Sequence, residues 1–218
     1  MKKNICIISG SRADYGLLRP LIKKLEKSMF FNLQLVVTGS HTSKIHGNTI
    51  SEIKEDDFFI NDIIKTTIIS DSPVAISKLL AKGIDKFTIS LNKLKPDLIF
   101  ILGDRYEIFS ACISAFLLNI PIAHHSGGEV TEGAFDDSIR HSITKMAKIH
   151  FVSTQEYKKR VIQLGENPKN VHVVGSFGVE NIKTIKLLCR EDLEKKINFR
   201  FTKKTLLLTF HSETLDLE

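Results

Sequence analysis

Short apolar runs rich in β-branched residues alternate along the chain with longer stretches of helical period, which is the pattern of an α/β protein. Strands are predicted at 4–9, 33–38, 97–102, 120–124, 150–153, 172–174 and 205–210, and helices at 17–27, 73–94, 107–118, 137–147, 155–164 and 179–196. Leu98-Ile99-Phe100-Ile101-Leu102 and Ile5-Cys6-Ile7-Ile8 are apolar at every position rather than at alternate ones. A strand without alternation is buried on both faces, as a parallel sheet between two helix layers demands. The predicted fold is therefore a doubly wound, Rossmann-like α/β domain.

Gly165-Glu166-Asn167-Pro168 closes one helix ahead of a strand, an ordinary loop of such a fold. After Val174 the chain runs through Gly175-Ser176-Phe177-Gly178 into a charged stretch, meets the apolar run Leu206-Leu207-Leu208-Thr209-Phe210 and stops at Glu218. Three segments are expected: a Rossmann-like domain over 1–178, a connecting helical segment over 179–204, and over 205–218 the opening of a truncated second domain.

The balance of residues narrows the function without naming it. At 42% hydrophobic and 26% charged the chain is neither disordered nor collagen-like, and 218 residues can bury a sizeable core. No run approaches the ~18 apolar residues of a membrane span, and a cytoplasmic location is expected. Cys6, Cys112 and Cys189 are odd in number and far apart, so they read as core filler rather than as disulfides or a zinc site. Lysine and arginine exceed aspartate and glutamate by 31 to 25. The excess is scattered over helix faces and the tail, with no basic stripe interleaved with aromatics, so nucleic acid is not expected as a partner.

In an open α/β sheet, ligands bind beyond the carboxyl ends of the strands. The first such loop, Gly10-Ser11-Arg12-Ala13-Asp14-Tyr15-Gly16, is neither a dinucleotide fingerprint nor a Walker loop. It reads either as an anion site built on a helix start with Arg12, or as a plain turn with a surface arginine. The second strand leads into Thr38-Gly39-Ser40-His41, with His46-Gly47-Asn48 beyond, where the histidines are proton carriers, ligands or simple polar loop residues. Gly103-Asp104-Arg105-Tyr106-Glu107 puts three charges directly beyond five apolar residues; they line a crevice or suit a helix N-terminus. The densest stretch is His124-His125-Ser126-Gly127-Gly128-Glu129 with Asp136-Asp137-Ser138-Ile139-Arg140-His141. Crowded carboxylates raise one another's pKa, so that one holds a proton while another takes one. Helix capping accounts for the aspartates alone, and no metal-ligand spacing or G-x-S-x-G elbow occurs. Asp104, Glu129, Asp136, Arg140 and His41 are expected to face one common cleft.

Gly10-Ser11-Arg12-Ala13-Asp14-Tyr15-Gly16, Gly103-Asp104-Arg105-Tyr106-Glu107, Gly127-Gly128-Glu129, the stretch from Asp136 to Lys145 and Val161-Ile162-Gln163-Leu164-Gly165-Glu166 together resemble the hydrolysing UDP-N-acetylglucosamine 2-epimerases. The likeness is greatest to bacterial members of sialic acid biosynthesis. It implies a glycosyltransferase-B type fold with the active site between two Rossmann-like domains, the second of them truncated here. The implied reaction converts UDP-N-acetylglucosamine and water to N-acetylmannosamine and UDP through a 2-acetamidoglucal, without metal or nicotinamide. A UDP-sugar is the implied partner, and the full-length form is expected to be a homo-oligomer.

By the same resemblance Asp104, Glu129, Asp136 and Asp137 are the acid/base candidates, and Arg12, Asp14, His41, Asn48, Arg105, Ser126, Arg140 and His211 bind substrate. Arg12, Arg105 and Arg140 are the expected positive charges, and His211 matches a histidine that opens the second domain and faces UDP. Ser126 stands where relatives carry glutamate or histidine; a serine cannot act as acid or base near neutral pH, so that role falls to another group or is dispensable. Two alternatives remain: a UDP-diacetamido sugar of legionaminic acid synthesis as substrate, or a catalytically incompetent remnant. The Gly103-Asp104-Arg105 and Asp136-Asp137-Ser138 forms favour the hydrolysing over the non-hydrolysing branch.

Overall fold

The computed structural model describes residues 1–43, 49–66, 70 and 72–209. In chain order the elements are β1 (Lys3–Ser9), α1 (Arg12–Glu26), β2 (Phe31–Thr38), α2 (Ile50–Glu55), β3 (Asp62–Ile64), α3 (Pro73–Leu94), β4 (Leu98–Leu102) and α4 (Tyr106–Leu117). There follow β5 (Ile122–His125), α5 (Phe135–Met146), β6 (Ile149–Val152), α6 (Gln155–Gln163), β7 (Val171–Val173), α7 (Phe177–Thr184) and α8 (Arg190–Ile197). All strand pairs are parallel, in the order β3-β2-β1-β4-β5-β6-β7.

The two faces of the sheet explain the unbroken apolar runs. Cys6 and Ile8 of β1 point with Ile99 and Ile101 of β4 into one core, closed by Phe87 and Leu91 of α3 and Ile108 and Cys112 of α4. Ile7, Phe100 and Leu102 face the opposite core, closed by Tyr15, Leu18 and Ile22 of α1 and Ile53 of α2. Helix starts are set locally: Ser11, Ser72 and Thr154 each accept a hydrogen bond from the backbone N–H three residues on, and Pro73 opens α3.

Several expectations change. α1 begins at Arg12, so Arg12 and Asp14 lie in its first turn rather than in a loop. β3 and α2, of three and six residues, carry too few apolar positions for either period to show; β3 exists because Val36 to Thr38 of β2 offer it an edge. The stretch 179–196 is two helices rather than one, with 185–189 between them outside any helix. Residues 205–209 form no strand, and Leu206, Leu207 and Leu208 are fully exposed; residue 210 lies outside the described residues. Strand backbone needs a neighbour to bond, and this stretch pairs with neither sheet edge, β3 nor β7. Cys6 and Cys112 are core residues as expected, but Cys189 is exposed. Among the described residues no helix is long and apolar enough to cross a membrane.

Candidate active site at the carboxyl ends of the strands

The chain winds outward from β1 in one direction and from β4 in the other, so the topological switch point lies between these adjacent strands. Two charged groups occupy this edge of the sheet. The first stands at the switch point itself. Asp14 folds back so that its carboxylate accepts from the Gly10 N–H at 3.2 Å. Burial pushes its pKa above the usual carboxylate range, against the opposing pull of the Ser11 hydrogen bond. Arg105, the N-cap residue of α4, donates through Nε to Glu107 Oε1 at 2.9 Å. The Glu107 side chain is 3% exposed and that of Arg105 48%, so the pair runs from the core to the open crevice.

The second group spans the ends of β4, β5 and β6. Arg140 of α5 donates through Nε to Asp104 at 2.7 Å, through Nη1 to the Glu129 carbonyl at 2.8 Å and through Nη2 to Thr131 Oγ1 at 2.8 Å. Asp137 stands 3.5 Å from Nη1, and Nη2 makes a further contact with Asp104. The Arg140 side chain is only 7% exposed, so its guanidinium is surrounded by its own protein partners. Burial raises the Asp104 pKa; Arg140 pulls it down, while Asp136 and Glu129 push it up again. The Glu129 carboxylate accepts from Ser153 Oγ at 3.0 Å, at the end of β6.

What carries Glu129 to this place is the turn after β5. Ser126 adopts the left-handed region at φ 72°, and its Oγ lies 2.9 Å from His125 Nδ1. A Cβ on Gly128 would sit 2.5 Å from the Tyr157 carbonyl oxygen, so only glycine lets this turn press against α6. Beneath it His124, fully buried, places Nε2 3.2 Å from the Gly103 carbonyl and Nδ1 3.3 Å from Thr144 Oγ1. A carbonyl only accepts, so Nε2 carries the proton. Burial drives the His124 pKa down to about 3 and keeps the ring neutral. His124 thus joins the turn before Asp104 to the helix that bears Arg140.

Asp104, Glu129, Asp136 and Arg140 therefore come together as expected, and Arg105 with Asp14 stands next to them, within electrostatic range of Asp136. His41 does not share their cleft. It is fully buried at the end of β2, with Nε2 2.9 Å from Ser9 Oγ and Nδ1 2.8 Å from Thr49 Oγ1, and burial lowers its pKa to about 4. Arg12 points to the surface, 74% exposed, and pairs with Glu52 of α2 at 3.0 Å. Asn48 and His211 lie outside the described residues. Among the described residues no group of three or more histidine, cysteine, aspartate or glutamate side chains is arranged to hold a metal. A groove of about 930 Å³ lined by Tyr15, Arg19, Lys23, Asp56 and Asn181 contains none of these carboxylates.

The sequence profile of the UDP-N-acetylglucosamine 2-epimerases matches residues 23–218. The chain belongs to that family. It is 41% identical over 217 residues to a GDP/UDP-N,N'-diacetylbacillosamine 2-epimerase (hydrolyzing) of Campylobacter jejuni, covering 100% of this chain and 56% of the relative. It is 42% identical over 216 residues to the polysialic acid biosynthesis protein P7 of Escherichia coli, covering 99% and 55%. A Methanocaldococcus jannaschii UDP-GlcNAc 2-epimerase, solved in complex with UDP-GlcNAc and UDP, shares its fold at TM-score 0.75 and 20% identity, over 89% of this chain and 53% of that one. The chain thus spans about half the length of the relatives it matches.

The α/β, Rossmann-like reading of the pattern is the fold of this chain, and the resemblance drawn from the five motifs is its family. Reading by motif singles out the stretches that hold Glu107 and His124 without giving either residue a role, and it passes over Thr131, Thr144 and Ser153. Glu107 has a visible signal, a charge directly beyond an apolar strand; the threonines and Ser153 have none, because only the meeting of α5 and β6 with the β5 turn brings them in.

Proposed function

We propose that this epimerase chain supplies the acid/base half of a hydrolysing 2-epimerase acting on a UDP-2-acetamido sugar. The observation that carries the reading is a largely buried Asp104, 17% exposed and raised in pKa, within electrostatic range of Glu129 and Asp136. Such a set holds a proton on one carboxyl while another carboxylate removes one. In the proposed reaction a carboxylate takes the C2 proton as the C1–O bond to UDP breaks, leaving a C1=C2 double bond. Water then adds its OH to C1, and C2 regains a proton on the opposite face, giving the manno sugar and UDP. Arg105, half exposed at the switch point, is proposed to meet the diphosphate, with Arg12 further out. Residues 205–218, with His211, are proposed to open a second, UDP-binding domain that closes the cleft.

The sugar is proposed to be UDP-N-acetylglucosamine, and the printed name of the Campylobacter relative supports a UDP-diacetamido sugar as the second reading. The test joins this chain to the C-terminal half of the Escherichia coli relative and follows UDP release from each sugar nucleotide. Turnover of either supports the reaction class and the preferred one sets the sugar; no UDP release from either overturns the proposal.

A further inference from the structure

The Glu107 carboxylate is the deepest charge at the switch point, and its surroundings are shaped around it. A Cβ built on Gly10 would lie 2.8 Å from Glu107 Cγ and 3.0 Å from Oε1. One on Gly39, whose φ of +59° already favours glycine, would lie 2.6 Å from Oε1 and 2.5 Å from the Gly10 carbonyl. The loops after β1 and β2 are themselves joined, the Ser40 N–H donating to the Gly10 carbonyl at 2.9 Å. Two strand ends thus omit side chains where a carboxylate from a third strand end enters between them.

Among the described residues that carboxylate takes one hydrogen bond from arginine, from Arg105 Nε. Among the described residues the two terminal nitrogens of Arg105 carry no hydrogen bond, and the side chain is half exposed. A guanidinium gripped at Nε has its plane and direction set, while the forked end stays available for the two oxygens of an anion. Arg140 is the contrast, with Nε, Nη1 and Nη2 all bonded within the protein.

We propose that Glu107 is a positioning residue which, seated in the space left by Gly10 and Gly39, aims the fork of Arg105 into the switch-point crevice to take a diphosphate group. The inference rests on the UDP-sugar reading for its ligand class, but its geometry does not. Glu107 touches no substrate; it acts through Arg105. Its negative charge also weakens anion binding by simple repulsion, so the test must separate aiming from charge. Glu107→Gln removes the charge and keeps an acceptor of the same length, whereas Glu107→Leu removes both.

The experiment uses the 218-residue chain labelled with 15N-arginine. The Arg105 Nε–H exchanges slowly in the parent and in Glu107→Gln, and about tenfold or more faster in Glu107→Leu, the scale of a lost hydrogen bond between charged groups. Gly10→Ala, which pushes Glu107 out without altering its charge, speeds exchange likewise and stands in if the leucine variant does not fold. Inorganic pyrophosphate, titrated against the amides of Gly10–Asp14 and Gly103–Glu107, binds Glu107→Gln several-fold more tightly than Glu107→Leu, and Arg105→Gln abolishes the response. Equal pyrophosphate affinity in the glutamine and leucine variants, or fast Nε–H exchange in the parent, overturns the proposal. A two-domain chain that releases no UDP overturns the proposed function instead and leaves the exchange result standing.

Discussion

Two arginines stand side by side on the same edge of the sheet and do opposite things. Arg140 is enclosed, bonded to Asp104, Thr131 and the Glu129 backbone, and 7% exposed. Arg105 is hydrogen-bonded, among the described residues, to Glu107 alone and is 48% exposed. The difference lies in what each ion pair is for. A guanidinium with every nitrogen satisfied is a fastener: it fixes the distance between the turn after β4 and the turn after β5, and so the spacing of the carboxylates. A guanidinium with its fork free is a receptor. Burial decides which, since a buried cation must find all its partners inside the protein whereas an exposed one can leave some for a ligand.

The largest effect is expected where the enclosed cluster meets chemistry. In a chain that carries the second domain, Asp104→Asn or Glu129→Gln should lower turnover by ~10²–10⁴-fold while circular dichroism stays unchanged, the loss expected of a removed proton-transfer group. Near-parental rates in both would remove the acid/base assignment, and Arg140 would then fasten nothing catalytic.

Stability should separate the two arginines next. Arg140→Met leaves Asp104 buried without its cation, and breaking a buried pair costs about 3–5 kcal/mol. The double variant Arg105→Gln/Glu107→Gln, which removes the half-exposed cation together with the buried carboxylate it neutralises, leaves no charge stranded and should cost less, about 1–2 kcal/mol. Urea unfolding of the two variants measures both, and equal shifts of the midpoint would erase the contrast.

A smaller effect is expected from pH, through the histidines beneath each cluster. His124 is held down to about 3, and His41 and His125 to about 4, all by burial. Each stays neutral when folded, but the unfolded ring takes a proton near pH 6.5. Stability is therefore fully present above pH 6.5 and falls as pH drops from 6.5 toward 4, by up to about 1.4 kcal/mol per unit for each ring. Asp104 and Asp14, raised by burial, act in the opposite sense: their folded carboxyls bind protons more tightly than the unfolded ones, so a fall in pH through their folded pKa relieves a penalty. Denaturation midpoints at pH 7 and pH 5 should show a net loss, and His124→Gln should flatten it more than replacement of an exposed histidine such as His172 does.

The smallest effect is expected at Arg12. Its pair with Glu52 lies in solvent, so Arg12→Gln should change stability by less than about 0.5 kcal/mol. A larger loss in urea unfolding would mean that an exposed pair can act as a fastener too.

Much of the frame is legible in the order of residues alone. Helix α3 is predicted over 73–94 because Ser72 and Pro73 start it locally and its apolar period runs unbroken, and β1 and β4 announce themselves by runs with no alternation. The carboxylates of the site are legible too, since each follows such a run or opens the next helix. His41 misleads because a histidine after a strand looks the same whether it ends in a crevice or under one. The 205–210 run misleads for a related reason: apolar character reports a liking for burial but does not provide the neighbouring strand.

Periodicity, caps and turn residues act over a few neighbours in the chain, so the sequence by itself determined the α/β order of elements, the parallel sheet and the edge on which charge collects. Which charges meet was decided only by the tertiary structure. Asp104 and Arg140 lie 36 residues apart, and Glu107 reaches glycines in two loops far back in the chain. The satisfaction of a guanidinium, the burial of a carboxyl and the shift of its pKa all depend on atoms brought together by folding, and no local pattern encodes them.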